Sequence, residues 1–223
     1  MTGLLIRQIG NGTGIRPMIT IVDYGMGNLH SVLKAFEHIG AGARISSAVS
    51  AIASAEKVVL PGVGAFADAM EALGRMQLVE PLLKAIEQGK PFLGICLGMQ
   101  LLFEVSYEDG EHPGLAAVAG EVRRFDFSDK GDKHNLKIPH MGWNTLDWQV
   151  EAPLLRGLEK GCFVYFVHSY YVICQDESVI ATTTDYGGAF TSSIWRDNVY
   201  AVQFHPEKSQ RAGLQMLKNF AEL

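Results

Sequence analysis

Pro91-Phe92-Leu93-Gly94-Ile95-Cys96-Leu97-Gly98-Met99-Gln100-Leu101-Leu102-Phe103-Glu104 is the stretch whose reading decides the fold. Pro91 to Ile95 is a short apolar run of the kind buried in a parallel sheet, and the residues after Cys96 read as a helix. Between them lies Gly-x-Cys-x-Gly, the cysteine form of a nucleophile elbow. In this tight strand-to-helix turn the residues two positions either side of the nucleophile must be tiny. The turn exposes the sulfur and sets it at a helix N-terminus, where free N–H groups and the positive dipole end favour a thiolate. Read alone, Cys96 could also be a small buried hydrophobe. Gly94 and Gly98 favour the nucleophile.

Outward from this stretch, short β-branched runs alternate with helical patterns. Met18 opens the strand MITIVD. Leu29, Val32, Leu33, Phe36 and Ile39 then fall at three- and four-residue spacings, which predicts an amphipathic helix over 29–39. Lys57 to Leu60 reads as a buried strand ending at Pro61-Gly62-Val63-Gly64, and Leu78 to Gln88 as a helix. The alternation predicts crossover units in an α/β, doubly wound, mostly parallel sheet. Phe163 to Val172, Val179 to Thr183, Phe190 to Trp195 and Val199 to Phe204 are strand-like and separated by turn signals such as Gly187-Gly188 and Asp197-Asn198. Some antiparallel pairing is therefore expected in the second half. Ser209 to Leu223 reads as a closing helix with Ser209 as its N-cap. Gly25 and Gly27 read as turn residues, lacking the third glycine of a dinucleotide fingerprint. Residues 1–17 have the composition of a flexible leader, and 18–223 that of one domain.

The formal net charge of -5 over 223 residues provides no basic field for collecting phosphates, which disfavours a nucleic-acid partner. Three widely spaced cysteines, Cys96, Cys162 and Cys174, lack the close Cys/His pairs of a zinc site and imply a reduced compartment with no metal. No apolar run approaches the roughly 20 residues needed to cross a bilayer. A signal-peptide pattern is also missing, so a cytoplasmic protein without membrane association is expected.

A thiol nucleophile needs an imidazole to move its proton. His205 ends the strand-like run Val199 to Phe204 and is followed by Pro206 and Glu207. Residues two apart in extended backbone project to the same side, and Pro206 restricts His205 to extended conformations, so the His205 and Glu207 side chains can meet. A carboxylate on one ring nitrogen sets the tautomer and stabilises the imidazolium. Taken alone, His-Pro-Glu could equally be a strand-ending turn; beside the cysteine elbow it reads as a base and its orienter. His30, His38, His112, His134 and His140 read as surface or packing histidines, and His168 as a hydrogen-bonded core histidine.

Attack on an amide builds negative charge on oxygen, and the elbow offers the Leu97 N–H to receive it. A second donor could come from the glycine-rich strand end Leu60-Pro61-Gly62-Val63-Gly64, which in isolation is equally a plain turn. Taken together and in this order, LPGVGAF, GICLGMQLLFE and FHPEKS closely resemble the triad-type, class I glutamine amidotransferases over essentially all of 18–223. Within that class, IVDYGMGNLHSV, IPHMGWN and YFVHSYYV resemble the glutaminase subunits of imidazole glycerol phosphate synthases, of histidine biosynthesis.

The resemblance implies that Cys96 attacks the glutamine side-chain amide, that His205 protonates departing ammonia, and that water hydrolyses the γ-glutamyl thioester, with no cofactor. It maps the second oxyanion donor onto the Val63 N–H and glutamine binding onto Gly64, Gln100, Glu104, Ser169 and Tyr170. Gln100 and Glu104, four apart, would share one face of the helix after the nucleophile. The implied partner is a separate (β/α)₈-barrel cyclase forming a heterodimer, docked at Pro139, Met141 and Trp143 and receiving ammonia through a channel; Trp143 could alternatively pack in the core. Three rivals are weighed against this: an amidotransferase serving an anthranilate or purine synthase, a stand-alone cysteine hydrolase, and a non-catalytic binding module.

Overall fold

The computed structural model describes residues 18–128 and 136–223. The leader expected at 1–17 and His134 lie outside the described residues. The first half alternates strand and helix: β1 (Ile19–Val22), α1 (Leu29–His38), β2 (Ala43–Ser46), α2 (Val49–Ala53), β3 (Lys57–Gly62), α3 (Phe66–Arg75), α4 (Val79–Glu87), β4 (Phe92–Cys96) and α5 (Leu97–Gln100). The second half is mostly strand: β5 (Phe103–Ser106), β6 (His112–Pro113), β7 (Val118–Arg124), β8 (His140–Thr145), β9 (Asp147–Trp148), β10 (Phe163–His168), β11 (Tyr170–Cys174), β12 (Ile180–Asp185), β13 (Ala189–Arg196) and β14 (Val199–Val202). It closes with α6 (Gln210–Ala221).

The main sheet runs β2-β1-β3-β4-β14-β13-β11-β7-β5-β6, with β12 and β9 attached beside β13. From β2 to β14 the pairs are parallel, whereas β13 pairs antiparallel with β14, β11 and β12. A mostly parallel sheet with antiparallel strands in the second half is what the sequence predicts.

Alternation along β3 shows how the layers form. Val58 and Leu60 pack with Phe66, Leu73 and Leu82 of α3 and α4, while Val59 faces the other way, toward Val32 and Phe36 of α1 and Leu217 and Phe220 of α6. Each such side chain, fully buried, contributes about 1.5–3 kcal/mol of transfer free energy. Both faces of the central strands are thus covered, leaving their carboxyl ends as the accessible edge.

Three expectations need correction. The helix after Cys96 stops at Gln100 instead of running to Glu104. The Leu101 and Leu102 carbonyls accept from the Leu115 and Val118 N–H groups at 2.8 and 2.9 Å, and the chain re-enters the sheet as β5 beside β7. The apolar run 163–172 is two strands broken at Ser169: β10 forms a separate antiparallel ribbon with β8, while β11 joins the main sheet. Ser209 precedes α6, but its side chain does not cap that helix. Its Oγ donates to the His205 carbonyl at 2.7 Å and accepts from the Tyr165 N–H at 3.0 Å.

Candidate active site

At Cys96 the backbone takes φ 55° and ψ -112°, a conformation that costs a residue with a Cβ of order 1–3 kcal/mol and that the surroundings must impose. They do so by close approach. A Cβ on Gly98 would lie 1.8 Å from the Leu60 carbonyl oxygen, and one on Gly94 would lie 2.7 Å from the Gly98 oxygen. Strand end and helix start therefore touch, and the sulfur is carried beyond the carboxyl end of β4.

His205 arrives from the neighbouring strand, just beyond the end of β14, which pairs in parallel with β4. Its N–H donates to the Tyr165 carbonyl at 2.9 Å, and together with the Ser209 bonds this fixes its backbone against β10. The side chain is buried, and its Nδ1 lies 2.9 Å from Glu207 Oε1. Oε1 can only accept, so Nδ1 carries the hydrogen and Nε2 is the nitrogen left for chemistry. That nitrogen makes no hydrogen bond among the described residues, and the ring lines the same cavity as Cys96. Burial opposes the charged ring, but Cys96 and the Glu207 carboxylate together outweigh it and raise the imidazole to about 10. The ring is thus held toward its imidazolium form.

The cavity over the sulfur measures about 310 Å³, at the small end of ligand pockets. Val63 and Gly64 reach it directly from the end of β3, where Gly62 pairs with Cys96. Leu97, Gln100, Ser169 and Tyr170 also line it. Of the residues expected around a substrate only Glu104 is elsewhere: it is exposed on β5, and its Oε2 accepts from the Gly120 N–H at 2.9 Å. The resemblance placed Glu104 beside the substrate, and with α5 ending at Gln100 the helical face it was expected to share with Gln100 does not exist. The carboxylate that does reach the cavity belongs to Glu108, which sequence reasoning missed. Burial raises its pKa despite a 2.7 Å bond accepted from the Phe66 N–H. Gln203, wholly buried, was missed as well: its Nε2 lies 3.7 Å from Cys96 Sγ. Its place two residues before His205, in the strand-like run 199–204, was the available signal, although the chain bends at Gln203 and Phe204.

Of the expected docking residues, Met141 is 62% and Trp143 46% exposed, which removes the core-packing alternative for Trp143. Pro139 is exposed at the rim of the cavity itself. Phe163, 60% exposed, adds to the apolar face of the β8–β10 ribbon. A larger groove of about 640 Å³ between α2 and α4 contains no nucleophile or imidazole. Burial pushes the Cys162 thiol up and the Cys174 thiol up to about 11, away from nucleophilic use. Among the described residues no group of His, Cys, Asp or Glu is disposed to hold a metal, and no helix is long and apolar enough to cross a membrane.

A cysteine elbow facing an imidazole with its own carboxylate, on adjacent parallel strands, defines a class. The chain belongs to the class I glutamine amidotransferases, whose family model matches residues 20–223. It is 55% identical to the imidazole glycerol phosphate synthase subunit HisH of Syntrophotalea carbinolica, over 92% of this chain and all of that one. It is also 55% identical to the HisH subunit of Aquifex aeolicus, over 90% of this chain and 94% of that one. Among solved structures, PurLQS from Thermotoga maritima shares the fold at 18% identity, with a TM-score of 0.68 over 93% of this chain and 99% of that chain.

Proposed function

We propose that this chain is the glutaminase subunit of imidazole glycerol phosphate synthase in histidine biosynthesis, delivering ammonia to a separate cyclase subunit. The observation that carries the reading is that Cys96 and His205 line one small cavity while Glu207 holds His205 Nδ1 at 2.9 Å, which leaves Nε2 for chemistry. Identity above 50% to HisH subunits favours this synthase over the anthranilate and purine alternatives.

In this mechanism the Cys96 thiolate attacks Cδ of the glutamine side chain. Negative charge collects on the amide oxygen, facing the Leu97 and Val63 N–H groups. His205 gives its Nε2 proton to the departing nitrogen, the C–N bond breaks, and ammonia leaves a γ-glutamyl thioester. His205, now neutral, takes a proton from water; the resulting hydroxide attacks the thioester carbon, glutamate departs, and the proton returns to the thiolate–imidazole pair. Glutamine and water become glutamate and ammonia. Gly64, Gln100, Ser169 and Tyr170 shape the substrate's backbone end of the cavity, and the Glu108 carboxylate is the group suited to its α-ammonium. No cofactor takes part.

The partner is a (β/α)₈-barrel cyclase in a cytoplasmic heterodimer, docked on the face bearing Met141 and Trp143, with Pro139 beside the cavity mouth. Residues 18–223 act as one catalytic domain, and 1–17 as a leader outside it. Cys96→Ala in the assembled synthase tests the division of labour. It should abolish glutamine-dependent product formation and leave ammonia-dependent formation intact; loss of both, or retention of both, overturns the assignment.

A further inference from the structure

Two buried histidines are not used by this mechanism, and their hydrogen bonds run in one direction. Asn144 Oδ1 accepts from the Thr145 N–H at 2.8 Å, so its Nδ2 is the atom 2.9 Å from the Asp185 carbonyl and 3.3 Å from His140 Nε2. Nδ2 can only donate, which makes His140 Nε2 an acceptor and puts the hydrogen on His140 Nδ1. That nitrogen lies 3.0 Å from His168 Nε2, and His168 Nδ1 lies 2.8 Å from the Tyr170 carbonyl oxygen, another obligate acceptor. Both rings are therefore neutral Nδ1–H tautomers. Burial agrees, lowering His140 to about 4 and His168 to about 3.

The same Tyr170 carbonyl accepts from Gln100 Nε2 at 3.1 Å. The other hydrogen of Gln100 Nε2 reaches Gln203 Oε1 at 3.0 Å, which turns Gln203 Nε2 toward Cys96 Sγ. One carbonyl thus joins the histidine pair on one side to the amides against the nucleophile on the other. All four side chains are buried. A core needing only volume would place apolar groups here, since every polar atom buried must be paired to avoid a penalty of about 1–3 kcal/mol.

We propose that His168, with its tautomer set by His140, is a positioning residue: by holding the Tyr170 carbonyl it aligns Gln100 and Gln203 against Cys96. The strands that carry the pair explain what this can serve. On β8 and β10, Met141, Trp143 and Phe163 point outward, while His140, Asn144 and His168 point inward from the same two strands. Movement of the ribbon under a docked partner is transmitted through the two rings to the carbonyl, and from there to the nucleophile's neighbours.

This inference rests on the proposed glutaminase function, and the experiment separates the two. Glutamine turnover is measured in the assembled synthase for wild type, His168→Asn, His168→Gln and His168→Leu. Asn places an N–H where Nδ1 stands and can still hold the Tyr170 carbonyl; Gln and Leu cannot. His168→Gln and His168→Leu should lower kcat about tenfold or more with a smaller change in KM, and His168→Asn should retain several-fold more kcat than either. A merely structural histidine would make kcat follow thermal stability across all three. Imidazole nitrogen NMR of the wild-type complex adds a readout that needs no variant: both rings should show a protonated Nδ1 and a bare Nε2 at neutral pH. Equal kcat for the three variants, or a protonated His168 Nε2, overturns the proposal; a wild-type complex that does not hydrolyse glutamine overturns the function instead.

Discussion

Glu104 and Glu108 show how much hangs on single side chains. Both are carboxylates shortly after the elbow, and the family resemblance pointed to Glu104, yet only Glu108 meets the cavity. If it receives the substrate's ammonium, Glu108→Gln should raise KM for glutamine by roughly tenfold with kcat little changed, while Glu104→Gln leaves KM as it was; steady-state kinetics in the assembled synthase decides. His205 carries a second residue-scale consequence. Its folded-state pKa of about 10 lies above the ordinary value near 6.5, so its stabilisation is full below about pH 6.5 and is lost as pH rises through about 10. Glu207→Gln removes one of the groups that raise it. Its drop in melting temperature should therefore be larger near pH 6 than near pH 10.5, and a drop that is the same at both pH values would contradict the assigned charge state.

At the scale of elements, the elbow is where sequence and structure agree best, because its requirement is steric and local. Gly98→Ala forces a Cβ to within 1.8 Å of the Leu60 carbonyl oxygen, a backbone atom that cannot swing aside as a side chain could. Thermal or denaturant unfolding should show a loss of about 3 kcal/mol or more, well above that of an exposed glycine such as Gly74, which has open space around it. The residues beyond the elbow were illegible for an equally physical reason. Leu101, Leu102 and Phe103 are all completely buried, so no polar face marks where a helix would end, and partners more than ten residues away take their carbonyls. The break at Ser169 was hidden likewise: nothing in the run 163–172 says that its halves belong to different sheets. Glu108 could be recognised only once the turn that brings it to Phe66 was known.

For the whole molecule, the meeting of Cys96 and His205 at one cavity was readable because each follows a strand whose pattern is clear, and parallel neighbours bring their ends together. The relation between that site and the β8–β10 ribbon was not readable, since it depends on which strands leave the main sheet. The ribbon's apolar outer face predicts a division between stability and assembly. Trp143→Ala should weaken binding to the cyclase by about 2 kcal/mol, roughly thirtyfold, while the melting temperature of the free chain barely moves, because the indole is already 46% exposed. Titration calorimetry beside a melting curve separates the two effects.

The pairing of β4 with β14 also has a meaning in time. Nearly half of the chain lies between Cys96 and His205, and a ribosome makes the sulfur's turn long before the imidazole that will activate it. During that interval β3 and β4 can already form from neighbouring crossover units, whereas the slot beside β4 must wait for a strand not yet translated. On the proposed mechanism the nascent polypeptide therefore carries its nucleophile without a proton acceptor, and ammonia release must wait until the last strand inserts into the middle of the sheet.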